Sequence, residues 1–76
     1  MELTKNYVEA IKWFKKSADL GNAEAMNNIG RLYHYQPGFS IDYTEAMRWY
    51  VQAIDFGNAD ANAHIGNLYY DGFGGK

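Results

Sequence analysis

Apolar residues along this chain recur at intervals of three and four, the spacing that gathers side chains on one stripe of an α-helix. Tyr7, Ala10, Ile11, Phe14 and Ala18 make a first stripe, and Ala25, Ile29, Leu32 and Tyr33 a second. Both return further on, as Tyr43, Ala46, Met47 and Tyr50 and then as Ala61, Ile65, Leu68 and Tyr69. Between the two rounds stands Gln36-Pro37-Gly38-Phe39-Ser40-Ile41, a Pro-Gly turn that cannot continue a helix. The pattern predicts an all-α chain of four helices, over about 6–20, 22–35, 42–56 and 58–71.

Polar residues punctuate these stripes. Asn6 with Glu9, and Asp42 with Glu45, have the spacing of a capping box, in which the first side chain accepts from the third helical N–H and the acid reaches back. Gly21 and Gly57 follow Leu20 and Phe56, where a helix end needs a left-handed residue. Asn22 and Asn58 are placed to open the next helices, with Glu24 and Asp60 opposing the positive end of the helix dipole.

The offset between the rounds is 36 residues without a gap. Aligning 6–40 with 42–76 gives 35 pairs, of which 14 are identical. Such a period is the signature of a solenoid, in which one supersecondary unit stacks on the next. Gly30 and Gly66 fall on faces otherwise lined by large groups. A helical Gly costs about 0.8–1 kcal/mol relative to Ala, so each is expected to mark a close approach of two helices, with a neighbour's Trp or Tyr filling the space. Trp13 and Trp49 repeat with the motif and are expected in the core.

Seventy-six residues suffice for one small domain. Seven Tyr, four Phe and two Trp supply large rigid groups for packing, and the lack of Cys excludes disulfides and thiolate metal sites. A net charge of -2 counts against sequence-independent nucleic-acid binding, which needs Lys and Arg to replace counterions. The charge is uneven: residues 1–38 carry five basic and four acidic groups, and residues 39–76 two basic and five acidic. That asymmetry suits head-to-tail contact, though two solvated surfaces explain it as simply. No apolar stretch approaches the roughly 18 residues of a membrane span, and Met1-Glu2-Leu3-Thr4-Lys5 does not read as a signal peptide. The default location is cytoplasmic.

No catalytic or cofactor chemistry is expected. His34 and His64 lack partners at metal-ligand spacing, Asp60 to His64 being the nearest approach, and His64 aligns with Asn28 at what reads as a tolerant polar position. Ser17 falls on a helix face and Ser40 in a turn, while the carboxylates nearest helix starts already have capping roles. Gly72-Phe73-Gly74-Gly75 follows no strand and precedes no helix, so it is no phosphate loop. Lys12, Lys15 and Lys16 make a basic face, read as solvated or as a contact for an acidic partner.

Ile29-Gly30-Arg31-Leu32-Tyr33, then Asp42-Tyr43-Thr44-Glu45-Ala46-Met47-Arg48-Trp49-Tyr50, then Gly57 closely resemble the Sel-one-like repeat, a relative of the tetratricopeptide repeat. The resemblance covers residues 6–76. Gln36 departs from it, standing where the loop usually has its first Gly. The resemblance implies antiparallel helix pairs stacked into a right-handed α-α superhelix. It also implies a non-catalytic scaffold for protein-protein interaction. In the family's phase only residues 22–57 form a complete unit, which leaves Ile65, Leu68 and Tyr69 as an exposed repeat end. Roughly three repeats are needed for independent stability, so the isolated chain is expected to form a homo-oligomer, with a dimer favoured.

By the same resemblance, the concave face is lined by the helices carrying Asn27, Arg31 and His34 in one copy and Ala63, Asn67 and Tyr70 in the other. Asn27 and Asn67 suit the backbone of an extended peptide, and Arg31 a carboxylate. The alternative to such a groove is a structural module that oligomerises by end-to-end stacking or helix exchange.

Overall fold

Helix ends in this protein are built from one hydrogen-bond pattern used three times. A computed structural model describes residues 3–36 and 41–73, with the side chains of 3–6 outside the description. Its helices are α1 (Leu3–Asp19), α2 (Ala23–Tyr35), α3 (Tyr43–Asp55) and α4 (Ala61–Asp71). After α1, the Gly21 N–H donates to the Ala18 carbonyl (2.8 Å) and the Asn22 N–H to Ser17 (3.2 Å). This is the crossed pair of a Schellman motif, and Gly21 takes the positive φ that it requires, +92°. Gly57 and Asn58 close α3 on Ile54 and Ala53 in the same way, and Gly72 and Phe73 close α4 on Tyr69 and Leu68. α2 ends differently: Gln36 is extended (φ -80°, ψ 108°), as a residue before proline is driven to be.

Helix starts follow the sequence at two places and depart from it at two. Asn22 Oδ1 accepts from the Ala25 N–H at 3.1 Å, and Asp42 Oδ1 from the Glu45 N–H at 3.1 Å. The return arm of the box is not made at Asp42, whose own N–H donates to the Tyr33 carbonyl at 2.9 Å. Glu45 instead accepts from Arg48 at 3.4 Å. Asn6 is not a cap, because α1 begins at Leu3 and holds Asn6 in its interior. No breaker in Leu3-Thr4-Lys5 stops the helix one turn earlier. Nor does Asn58 cap α4 directly. Its Oδ1 accepts from the Asp60 N–H (3.0 Å), and a tighter turn through residues 59–60 delays the helix to Ala61.

The four helices stack in order, into a slab of 32 × 29 × 15 Å. α2 lies between α1 and α3, and α3 between α2 and α4, while the α1 backbone approaches neither α3 nor α4. This nearest-neighbour arrangement is what a solenoid requires. Ile29, Tyr50 and Leu68 are the largest fully buried side chains, joined by Ala46, Ala53 and Ala61. At the α2–α3 crossing a Cβ on Gly30 would stand 2.6 Å from Tyr50 Cδ1 and Cε1 and 3.2 Å from the Ala46 carbonyl, so the expected close approach is present.

Three packing expectations are corrected. A Cβ on Gly66 would meet nothing within 4 Å, because among the described residues no helix crosses α4 where α3 crosses α2. Trp13 is 66% exposed, whereas Trp49 packs against the core. α3 has α2 on the side that α1 leaves open. Leu68 is fully buried and not part of an exposed end. The Schellman turn donates the Phe73 N–H to its carbonyl and folds the Phe73 ring onto Tyr69, with centroids 5.6 Å apart. Ile65 is half-buried and Tyr69 56% exposed.

Candidate binding surface

The residues expected to line one groove are divided by the fold among three environments. Residues 27, 31 and 34 of α2 are a turn apart, but α3 and α4 cover part of that helix. His34 is 3% exposed and Asn27 6%, which corrects their placement on open surface, whereas Arg31 is exposed. Asn67 is exposed and donates from Nδ2 to the Tyr35 hydroxyl at 3.0 Å. Tyr70 stands away from the others, 91% exposed on α4.

His34 organises the interior instead of a groove. Its Nε2 is 2.9 Å from Asp71 Oδ2, and its Nδ1 is 3.0 Å from the Tyr50 hydroxyl. An ionised Asp71 only accepts, so Nε2 carries the proton and, in the neutral ring, Nδ1 accepts from Tyr50. Burial, and then the neighbouring Tyr35, hold the Tyr50 phenol well above its ordinary pKa, which keeps it a donor. One side chain on α2 thereby pins α3 and the last residue of α4. His64, expected at a tolerant polar position, instead stacks on Tyr50 with centroids 5.3 Å apart and planes 17° apart. Burial lowers its pKa, and the charges of Arg31 and His34 lower it further, against an opposing effect of Asp60.

A surface hollow of about 590 Å³ opens where α2 faces the turn between α3 and α4. Asn27, Asn28 and Arg31 form one wall and Phe56, Gly57 and Asn58 the other, with Glu24 and Asp60 among the lining residues. Asn27 lines the hollow, and its Oδ1 is buried without a hydrogen-bond partner among the described residues, a state that costs about 1–3 kcal/mol. Arg31 forms no ion pair among the described residues and also lines a second hollow, of about 250 Å³, with Phe14, Leu32 and Gln36. The wall opposite α2 was missed in the sequence. In the sequence Gly57-Asn58 reads only as ending one helix and starting the next, and nothing in a repeat pattern says which turn faces which helix.

Comparison with protein families settles what kind of unit carries this surface. The model of the Sel1 repeat matches residues 1–22, 23–58 and 59–76. The chain belongs to the Sel1 repeat family. No curated protein and no solved structure matches it. Sel1 repeats are helical, solenoid-type, non-catalytic units that generally mediate protein-protein interaction. Among the described residues of this Sel1 chain no three His, Cys, Asp or Glu are grouped to hold a metal, and no helix is long and apolar enough to cross a membrane.

Proposed function

We propose that this Sel1 repeat protein is an interaction module that holds an extended segment of a partner protein in the hollow between α2 and the α3–α4 turn. The observation that carries the reading is Arg31, exposed in the wall of that hollow and without an ion pair among the described residues. Glu24 and Asp60 offer acceptors for peptide N–H groups on the same surface. Arg31 supplies the complementary donors, for a backbone carbonyl or a carboxylate. A surface carrying both senses of hydrogen bonding fits an extended polypeptide, which presents N–H and C=O in alternation.

Asn67 and Tyr70 do not line this hollow. They belong to the reading only if the partner continues across Tyr35 onto α4.

Selection of a random peptide library on the immobilised chain tests the proposal. Enriched peptides are expected to bind the Arg31→Ala chain about tenfold or more weakly, the loss of a charge-assisted contact. They should retain affinity for Lys12→Ala, a change on the far face of α1. Failure to enrich any sequence, or affinities indifferent to Arg31→Ala, would overturn the assignment of this hollow.

A further inference from the structure

The two outer helices of this chain are copies of the two inner ones, and each lacks what its copy has. α1 repeats α3 and α4 repeats α2 at the same 36-residue offset. Inside the chain α2 and α3 make the closest helix pair, with Tyr50 and Ala46 seated against Gly30. The counterpart of Gly30 is Gly66, where an added Cβ meets nothing within 4 Å. The counterparts of Ala46, Tyr50 and Ala53, all fully buried, are Ala10, Phe14 and Ser17, all only partly covered. α4 thus presents the surface that receives an α3-type helix, and α1 is an α3-type helix with that face open.

We propose that the open face of α4 receives α1 of a second copy of this chain, rebuilding between molecules the α2–α3 interface found within one.

The sequence differences between the copies agree with this pairing. Within the chain His34 bonds the Tyr50 hydroxyl. At the corresponding place between copies, Tyr70 would face Phe14. The His34–Tyr50 bond has no counterpart there, because Phe14 lacks a hydroxyl, while the aromatic contact remains and the Tyr70 hydroxyl must reach the rim of the interface. Charge runs the same way, since the half carrying α1 is net positive and the half carrying α4 net negative.

Such an interface is heterologous, joining unlike faces, and it can extend beyond two copies. Sedimentation velocity of the chain should therefore show mass rising through dimer to larger species across micromolar concentrations. Gly66→Ala places a Cβ where the single chain is empty but where the incoming Phe14 ring must lie. It is expected to weaken association by about tenfold or more while leaving the thermal midpoint of the dilute chain unchanged or higher. Trp13→Glu blocks the other face, at an exposed position. Each variant alone should be monomeric, and an equimolar mixture should give a 1:1 dimer, because each retains the face that the other has lost. A wild-type chain that stays monomeric, or variants that do not rescue each other on mixing, would overturn the proposal. Association as strong in Gly66→Ala as in the wild-type chain would do the same. None of these outcomes bears on the hollow beside Asn27, which lies on another surface.

Discussion

The Tyr50 ring occupies the space that a side chain on Gly30 would need, with Cδ1 and Cε1 both 2.6 Å from an ideal Cβ at that position. Tyr50 cannot retreat cheaply, because it is fully buried, stacked under His64 and bonded to His34. Gly30→Ala is therefore expected to lose about 1–3 kcal/mol through overpacking, against a gain of about 1 kcal/mol in helix propensity. Gly66→Ala, at the open counterpart, keeps the gain without the clash. Thermal melts of the two variants should move in opposite directions, by about 4–8 °C for each kcal/mol in a domain of this size. Gly30→Leu should be more damaging than Gly30→Ala. Parallel behaviour of the two alanine variants would show that the close approach is not what selects glycine at position 30.

Asp71 is expected to hold α4 onto the rest of the stack. Its carboxylate accepts a hydrogen bond from Nε2–H of His34, whose side chain is wholly buried and has no other acceptor for it among the described residues. Asp71→Ala leaves that N–H unmet, at a cost of about 1–3 kcal/mol. Asp71→Asn, which can still accept through its amide oxygen, should cost less. Hydrogen exchange of the α4 amides should accelerate in Asp71→Ala before those of α2 and α3, since only α4 loses its tie. Uniform acceleration across all four helices would mean that the chain unfolds as one unit.

Much of this arrangement is legible in the sequence, and what escaped has a common cause. The four helices, the left-handed glycines after α1 and α3, and the crossing at Gly30 follow from local spacing and from steric rules that act within a few residues. Trp13 and Gly66 depart from expectation because a repeat argument gives every copy the same surroundings, which the outermost helices lack, whereas Leu68, expected at an open end, is fully buried. Asn27 and His34 differ between copies and sit on the helix that the resemblance puts at the concave face, so the interior is not where they are expected. Non-repetition is also how an interior adapts where one copy is covered and the other is open. The His34–Asp71 tie spans 37 positions, and nothing in the pattern of either helix announces it.

The caps separate a sequence signal from a used one. Asn22 and Asp42 each accept from a backbone N–H three residues on, so Asn22→Ala and Asp42→Ala should each cost about 1 kcal/mol. Asn6 shares the capping spacing but lies inside α1. Asn6→Ala should be neutral or slightly stabilising, since Ala is the better helix former. Urea titrations of the three variants check this, and a loss at Asn6 equal to that at Asp42 would contradict the start of α1 at Leu3.

Acid should weaken the fold partly through His64. The ring lies on Tyr50, with the Tyr35 hydroxyl 3.4 Å from Nδ1 and with Arg31 and His34 opposing a positive charge. Asp60 favours that charge but does not outweigh burial, so the folded-state pKa lies below the ordinary value of 6.5. Above that value the ring is neutral in both folded and unfolded chains, and the stabilisation from the neutral ring is complete. As the pH falls from 6.5 toward the folded-state pKa, the unfolded chain takes up the proton first, and stability is lost until both states are protonated. Denaturant midpoints measured at pH 8 and pH 5 should therefore differ more for the wild-type chain than for His64→Asn, which carries the residue found at the equivalent position 28. The titrating groups that do not act on His64 are shared by the two chains and cancel in the comparison. An equal or larger acid loss in His64→Asn would show that the ring is not held neutral by its place on Tyr50.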